Sequence, residues 1–214
     1  MSFPPDYFRR YDENPDALFY AQPRFVTHID DHAIAQVTRL YRDYLPEGGA
    51  ILDLCSSWIS HLPTDRHFRA VIGVGLNAEE LAANRQLTDF LVHDLNADPH
   101  LPYSEAQFDG GGCCVSIDYL TRPVAVLREV GRVMAPGAPF VITFSNRCFP
   151  TKAVAVWHQL PSEGHLALVR AYCEAAGTWR DIELLDASPS RPGADPLYAV
   201  VARSTGVWHG NDHD

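Results

Sequence analysis

The chain has 214 residues, 46% hydrophobic and 21% charged, which suits one ordinary domain with a sizeable core and excludes a disordered or fibrous chain. Seventeen basic against 27 acidic residues leave a formal charge of −10, which disfavours nucleic acid as a general partner. No apolar run approaches the roughly 20 residues that span a bilayer, and the start, Met-Ser-Phe-Pro-Pro-Asp, is no signal peptide, so a cytoplasmic protein without a membrane partner is expected.

Residues 1–25 carry seven aromatic side chains, Phe3, Tyr7, Phe8, Tyr11, Phe19, Tyr20 and Phe25. So many rings need an apolar surface to cover, and residues 1–31 read as a lid folded over a site. Asp30 and Asp31 suit the N-cap of a helix whose apolar positions Ile34, Val37, Tyr41, Tyr44 and Leu45 keep helical spacing. Apolar runs at 50–54, 71–74, 90–92, 113–117 and 140–144 read as five strands. Helical stretches fall at 77–84, with Asn77 as N-cap and Glu79 and Glu80 in the first turn, at 123–134 and at 162–177. Runs at 182–185 and 197–202 form a final antiparallel pair.

This alternation predicts an α/β fold: an open seven-stranded, mostly parallel sheet with helices on both faces, the first strand central, and an antiparallel edge strand at 197–202. Residues 32–203 are the body of the domain. Residues 204–214 read as a flexible tail, whose His209 and His213 lack a nearby third ligand, so no metal site is expected. The five cysteines have no metal-ligand spacing and read as buried small hydrophobes, Cys113 and Cys114 among them.

One stretch is more specific than this pattern. Phe108-Asp109 precedes Val115-Ser116-Ile117-Asp118-Tyr119-Leu120, then Leu127-Arg-Glu-Val-Gly-Arg-Val-Met134 and Ala135-Pro136-Gly137. With His93-Asp94-Leu95-Asn96 and Leu101-Pro102-Tyr103, this order and spacing resembles the Rossmann-like S-adenosylmethionine-dependent methyltransferases over roughly residues 30–203. The segments Leu54-Cys55-Ser56-Ser57-Trp58, Gly75-Leu76-Asn77-Ala78-Glu79-Glu80-Leu81 and Ser145–Lys152 are similar to a variant subset of that family. The resemblance implies S-adenosylmethionine as cofactor, S-adenosylhomocysteine as product and a small-molecule methyl acceptor.

Two departures from the family stand out. Its glycine-rich loop after the first strand is here Cys55-Ser56-Ser57-Trp58, where glycine would let backbone amides approach a ligand. The acid that grips the ribose at the end of the second strand is replaced by Asn77. The resemblance still places the cofactor on Asp53, Cys55, Ser56, Ser57, Trp58, Gly75, Leu76, Asn77, Asp94, Leu95 and Ser116. Asp94 would accept the adenine amine, the serine hydroxyls would meet the methionine carboxylate or amine, and Asp53 would act on the loop or merely cap it.

On the acceptor side, His28 has the ordinary pKa of a general base, with Asp118 as its alternative. Tyr20 and Arg24 in the lid, and Asn146 and Arg147 after the fifth strand, are candidate substrate contacts, the arginines holding an anionic acceptor. A non-catalytic binding module with a degenerate cofactor loop is the competing function. A nicotinamide-dependent oxidoreductase lacks support, since no Gly-x-Gly-x-x-Gly follows the first strand and no Tyr-x-x-x-Lys pair is present.

Overall fold

The computed structural model describes residues 3–206. Its strands are β1 (Ala50–Leu54), β2 (Ala70–Gly75), β3 (Asp89–Val92), β4 (Gly110–Cys114), β5 (Pro139–Phe144), β6 (Trp179–Asp186) and β7 (Tyr198–Ser204). They form one seven-stranded sheet in the order β3-β2-β1-β4-β5-β7-β6. β1 to β5 run parallel, and β7 is antiparallel to both β5 and β6. The reversed strand is therefore second from the edge, not at it; β6 takes the edge.

The helices are α1 (Asp16–Phe19), α2 (Asp31–Tyr44), α3 (Ala78–Ala83), α4 (Pro123–Val133), α5 (Ala155–Gln159) and α6 (Ser162–Ala176). Asp30 caps α2, its side chain accepting from the Ala33 amide at 2.8 Å. Val37, Leu40 and Tyr41 of α2 pack on Ile51, Val71, Val141 and Val201. On the opposite face α4 and α6 bury Val126, Leu127, Val130, Val169 and Tyr172 against Leu52, Leu54, Phe140, Ile142 and Val200. Every residue of β1 is buried, as in a parallel strand covered on both sides.

β4 starts three residues earlier than its apolar run suggests, in Gly110-Gly111-Gly112. Glycine has poor strand propensity, but packing overrides it here. A Cβ at Gly112 would lie 2.6 Å from the Tyr41 hydroxyl, so the missing side chain makes room for that ring. The crossover from β1 to β2, residues 55–69, contains no helix.

The amino-terminal segment is rooted on the flank of the domain. Phe3 and Phe8 pack against Tyr172 of α6, with ring centres 5.1 and 6.0 Å away. Lys152, 0% exposed, reaches the Asn14 carbonyl at 2.7 Å and carboxylate oxygens of Asp12 and Asp16 at 3.1 Å each. Asp16 also takes Arg10 at 2.7 Å and the Asn96 amide at 2.8 Å. Ser204, expected in the tail, is fully buried at the end of β7. Residues 207–214, with His209 and His213, lie outside the described residues.

Candidate active site

A cleft of about 1160 Å³, counted out to its open mouth, lies at the carboxyl ends of β1, β2 and β4. This is where the strand order reverses, the usual ligand position in open parallel sheets. Two residues leave these strands in the left-handed region, Cys55 at φ +56° and Val115 at φ +43°. That conformation costs a non-glycine residue about 1–2 kcal/mol and is rarer still for a β-branched one. Both line the cleft, so backbone strain concentrates at the site. Cys55 makes the turn after β1 in a conformation that glycine would adopt without strain.

Side chains hold the loop after β1 from beneath. Asp53 Oδ2 accepts from the hydroxyls of Ser56 at 2.5 Å and Ser60 at 2.6 Å. Asn84 Nδ2 donates to the Ser57 carbonyl and to Ser60 Oγ, both at 2.9 Å. The Ser57 hydroxyl donates to Glu80 Oε2 at 2.6 Å. Gly75 permits the close fit, because a Cβ there would collide with the Ser56 carbonyl oxygen. Asp53 thus acts on the loop. Ser56 and Ser57 spend their protons inward and offer a ligand only lone pairs, which suit an ammonium group and not a carboxylate. Burial pushes the Asp53 carboxyl up to about 6, against the two serine hydroxyls that favour its charge.

A strap from Tyr20 to Ile29 contributes one wall of the cleft. Asn77 Nδ2 donates to the carbonyls of Tyr20 at 2.8 Å and Ala21 at 3.4 Å, while its Oδ1 caps α3 by accepting from Glu79 and Glu80 amides at 3.0 Å. Its amide has no capacity left for a ribose hydroxyl, which corrects the expected role. The Arg24 amide donates to Glu80 Oε1 at 2.7 Å, and Trp58 Nε1 donates to the Val26 carbonyl at 3.0 Å. Trp58, foreign to a glycine-rich loop, joins Asn77 and Glu80 in gripping the strap.

Asp94 Oδ1 accepts from the amides of Asn96 at 2.9 Å and Ala97 at 3.2 Å, closing a turn after β3. Leu76, Leu95 and Ser116 line the cleft beside it. Ser116 Oγ donates to the Cys114 carbonyl at 2.9 Å.

The other end is aromatic. Phe149 packs edge-on with Tyr20 and His28 and lies tilted against Tyr119, and all four line the cleft. Burial lowers the His28 pKa; the Glu80 carboxylate opposes the shift and Arg24 adds to it. His61, also in the lining, is lowered to about 4, chiefly by burial and then by His28. Both imidazoles are neutral at pH 7. Asp118 is 3% exposed, does not line the cleft, and is pushed up to about 8 by burial. A buried, largely protonated carboxyl away from the cleft is poorly placed as a base. Arg24 lines the cleft, but Nη2 donates to the Phe19 carbonyl at 2.8 Å and the guanidinium stacks 4.5 Å over the Phe19 ring.

Asn146 and Arg147 are exposed and outside the lining. Arg147 reaches Asp195 at 3.6 Å instead, so the loop after β5 contributes Phe149 and not its polar residues. Glu80, His61, Tyr119 and Phe149 were not singled out as site residues from the sequence. Glu80 gave only the signal of a first-turn acid, and Phe149 and Tyr119 were visible merely as members of family-like segments. Among the described residues no cluster of three or more His, Cys, Asp or Glu is placed to hold a metal, and no helix is long and apolar enough to cross a membrane.

Residues 52–142, under half of the chain, match a family described as a methyltransferase domain. No curated protein matches. Among solved structures, a chain from the complex of the Haloferax volcanii Trm112 methyltransferase activator with a methyltransferase is similar at 15% identity and a TM-score of 0.61, over 81% of this chain and 91% of that one. A SAM-dependent methyltransferase from Aquifex aeolicus is 17% identical at a TM-score of 0.58, over 95% of this chain and 100% of that one. The [4+2]-cyclase SpnF is 16% identical at a TM-score of 0.58, over 79% and 80% of the two chains. At such identities the likeness is one of fold.

Proposed function

We propose that the protein moves a methyl group from S-adenosylmethionine to a small-molecule acceptor in the cytoplasm, a reading supported by the match of residues 52–142 to a methyltransferase domain and by the strand order of the sheet. The charge of the cleft carries this reading. Asp53, Glu80 and Asp94 line it against one guanidinium that is already stacked on a ring, which suits a ligand bearing a sulfonium and an ammonium group. One Asp94 oxygen is left for an adenine amine, and Glu80 stands at the end of β2 where Asn77 is spent.

When bound, S-adenosylmethionine supplies an electrophilic methyl. The chain has to align the acceptor, exclude water and take a proton where the acceptor carries one. The strap and Trp58 close the mouth, Tyr20 and Phe149 orient the acceptor, and His28 takes the proton. The commitment of Asn77 to the strap favours a second reading, a binding module without turnover. Calorimetry with S-adenosylmethionine and S-adenosylhomocysteine separates the two. Saturable binding of both supports the enzyme; no heat with either at millimolar ligand rejects it and leaves the module.

A further inference from the structure

We infer that the acceptor is an uncharged, flat, phenol-like molecule, and not a carboxylate or an amine; this rests on the methyltransferase reading above. Phe149 is the centre of the acceptor end, with the rings of His28 at 5.1 Å, Tyr119 at 5.8 Å and Tyr20 at 6.4 Å between centroids. Four rings facing one space favour a planar apolar ligand over a long flexible one.

Charge then narrows the class. Arg24 is the one Lys or Arg in the lining among the described residues. Its guanidinium lies 4.5 Å from the Phe19 ring centre and 5.4 Å from that of Phe149, and Nη2 is taken by the Phe19 carbonyl at 2.8 Å. Nη1 has no partner but is sealed from solvent, so a carboxylate entering the cleft meets no accessible cation. An ammonium fares no better, because the guanidinium already lies over the Phe149 and Tyr20 rings, 5.4 and 5.7 Å from their centres, and would repel a second cation there. The nearby acids are also spent or absent. Asp16 is paired with Arg10 at 2.7 Å and Lys152 at 3.1 Å, and Asp118 lies outside the lining. Asp53 and Asp94 flank the strand ends that serve the cofactor, and Glu80, the acid that acts on His28, already accepts from the Arg24 amide at 2.7 Å and the Ser57 hydroxyl at 2.6 Å. Stripping water from an unpaired charge at the aromatic end would outweigh the attraction of the rings.

A hydroxyl on a ring meets neither penalty. It finds the neutral His28 imidazole and the Tyr20 hydroxyl as partners. In transfer, the oxygen–methyl bond forms as the sulfur–methyl bond breaks with its electron pair passing to sulfur, and the hydroxyl proton goes to a ring nitrogen of His28.

Three ligands on one scaffold test this: 2-naphthol, 2-naphthoate and 2-naphthylmethylamine, titrated by calorimetry into the full chain saturated with S-adenosylhomocysteine. Naphthol is expected to bind at least tenfold tighter than either charged analogue. Phe149→Ala is expected to weaken naphthol at least tenfold while leaving S-adenosylhomocysteine within twofold, and Phe149→Leu keeps the measurement open if the alanine variant does not fold. Equal or tighter binding of naphthoate or the amine overturns the inference, as does absence of naphthol binding or an unchanged naphthol affinity in the Phe149 variants. Failure of S-adenosylhomocysteine to bind is a failure of the methyltransferase reading instead. The ranking is then read on the free chain, where it still decides the charge preference.

Discussion

Replacing Lys152 with methionine should loosen the root of the strap more than any other single change of similar size. The ammonium is fully buried and meets the Asn14 carbonyl at 2.7 Å, the Asp12 carbonyl at 3.3 Å, and the carboxylates of Asp12 and Asp16 at 3.1 Å. Breaking a buried ion pair by removing one partner costs about 3–5 kcal/mol, because the survivor is left desolvated and unpaired. Asp16 is not orphaned here, since Arg10 still holds it at 2.7 and 2.9 Å and Asn96 at 2.8 Å. The loss is therefore nearer about 2–4 kcal/mol, spread over the Asn14 carbonyl and Asp12. At about 2–4 °C per kcal/mol for a domain of this size, the melting midpoint should fall by about 4–16 °C. Circular dichroism reads the midpoint, and amide hydrogen exchange over residues 10–29 reads whether the loss is local. A midpoint within about 2 °C of wild type, with unchanged exchange in that segment, would refute the reasoning and make the buried lysine a packing residue. The same contacts mean that deleting residues 1–25 would strip Lys152 of its partners, so that truncation reports stability before it reports any lid.

Asp94→Ala should weaken S-adenosylhomocysteine by about 1–2 kcal/mol, a factor of about five to thirty by calorimetry; an unchanged affinity would move the adenine elsewhere. Gly75→Ala drives a Cβ into the Ser56 carbonyl oxygen, so the loop after β1 must shift, and at least a tenfold loss of cofactor affinity is expected in a protein that still melts cooperatively. Asp118, pushed by burial from 3.8 up to about 8, penalises folding increasingly as pH rises between those values. Asp118→Asn should therefore gain on wild type as pH is raised from 4 to 9, and a constant difference in midpoint would show that the carboxyl ionises freely. Arg147→Ala, at an exposed site 3.6 Å from Asp195, should leave cofactor and acceptor affinity within a factor of about two.

Much of the fold was legible because its signals are local. The N-caps at Asp30 and Asn77, the proline opening α4 and the apolar run of β1 each act within a few residues, and alternation of strands and helices then restricts the sheet order. β4 was displaced because Gly110–Gly112 carry no strand signal; their close neighbours, Leu45 and Pro46 at Gly110, Leu52 and Phe140 at Gly111 and the Tyr41 ring at Gly112, all lie far away in the chain. The loop after β1 and the strand ends surround one cleft, since chain order and topology bring carboxyl ends of parallel strands together. The partners each of those side chains takes were decided in three dimensions. Asn77 fits a ribose by its place in the chain, yet its amide is consumed by the Tyr20 and Ala21 carbonyls. Arg24 suits an anion by type, yet stacks on Phe19. Arg147 follows β5, where substrate contacts are expected, yet reaches Asp195, while Phe149 two positions on lines the cleft. The number of hydrogen bonds a side chain can make is written in its chemistry. Which of them remain for a ligand depends on the distant backbone and rings that folding brings against it, and no local pattern encodes that.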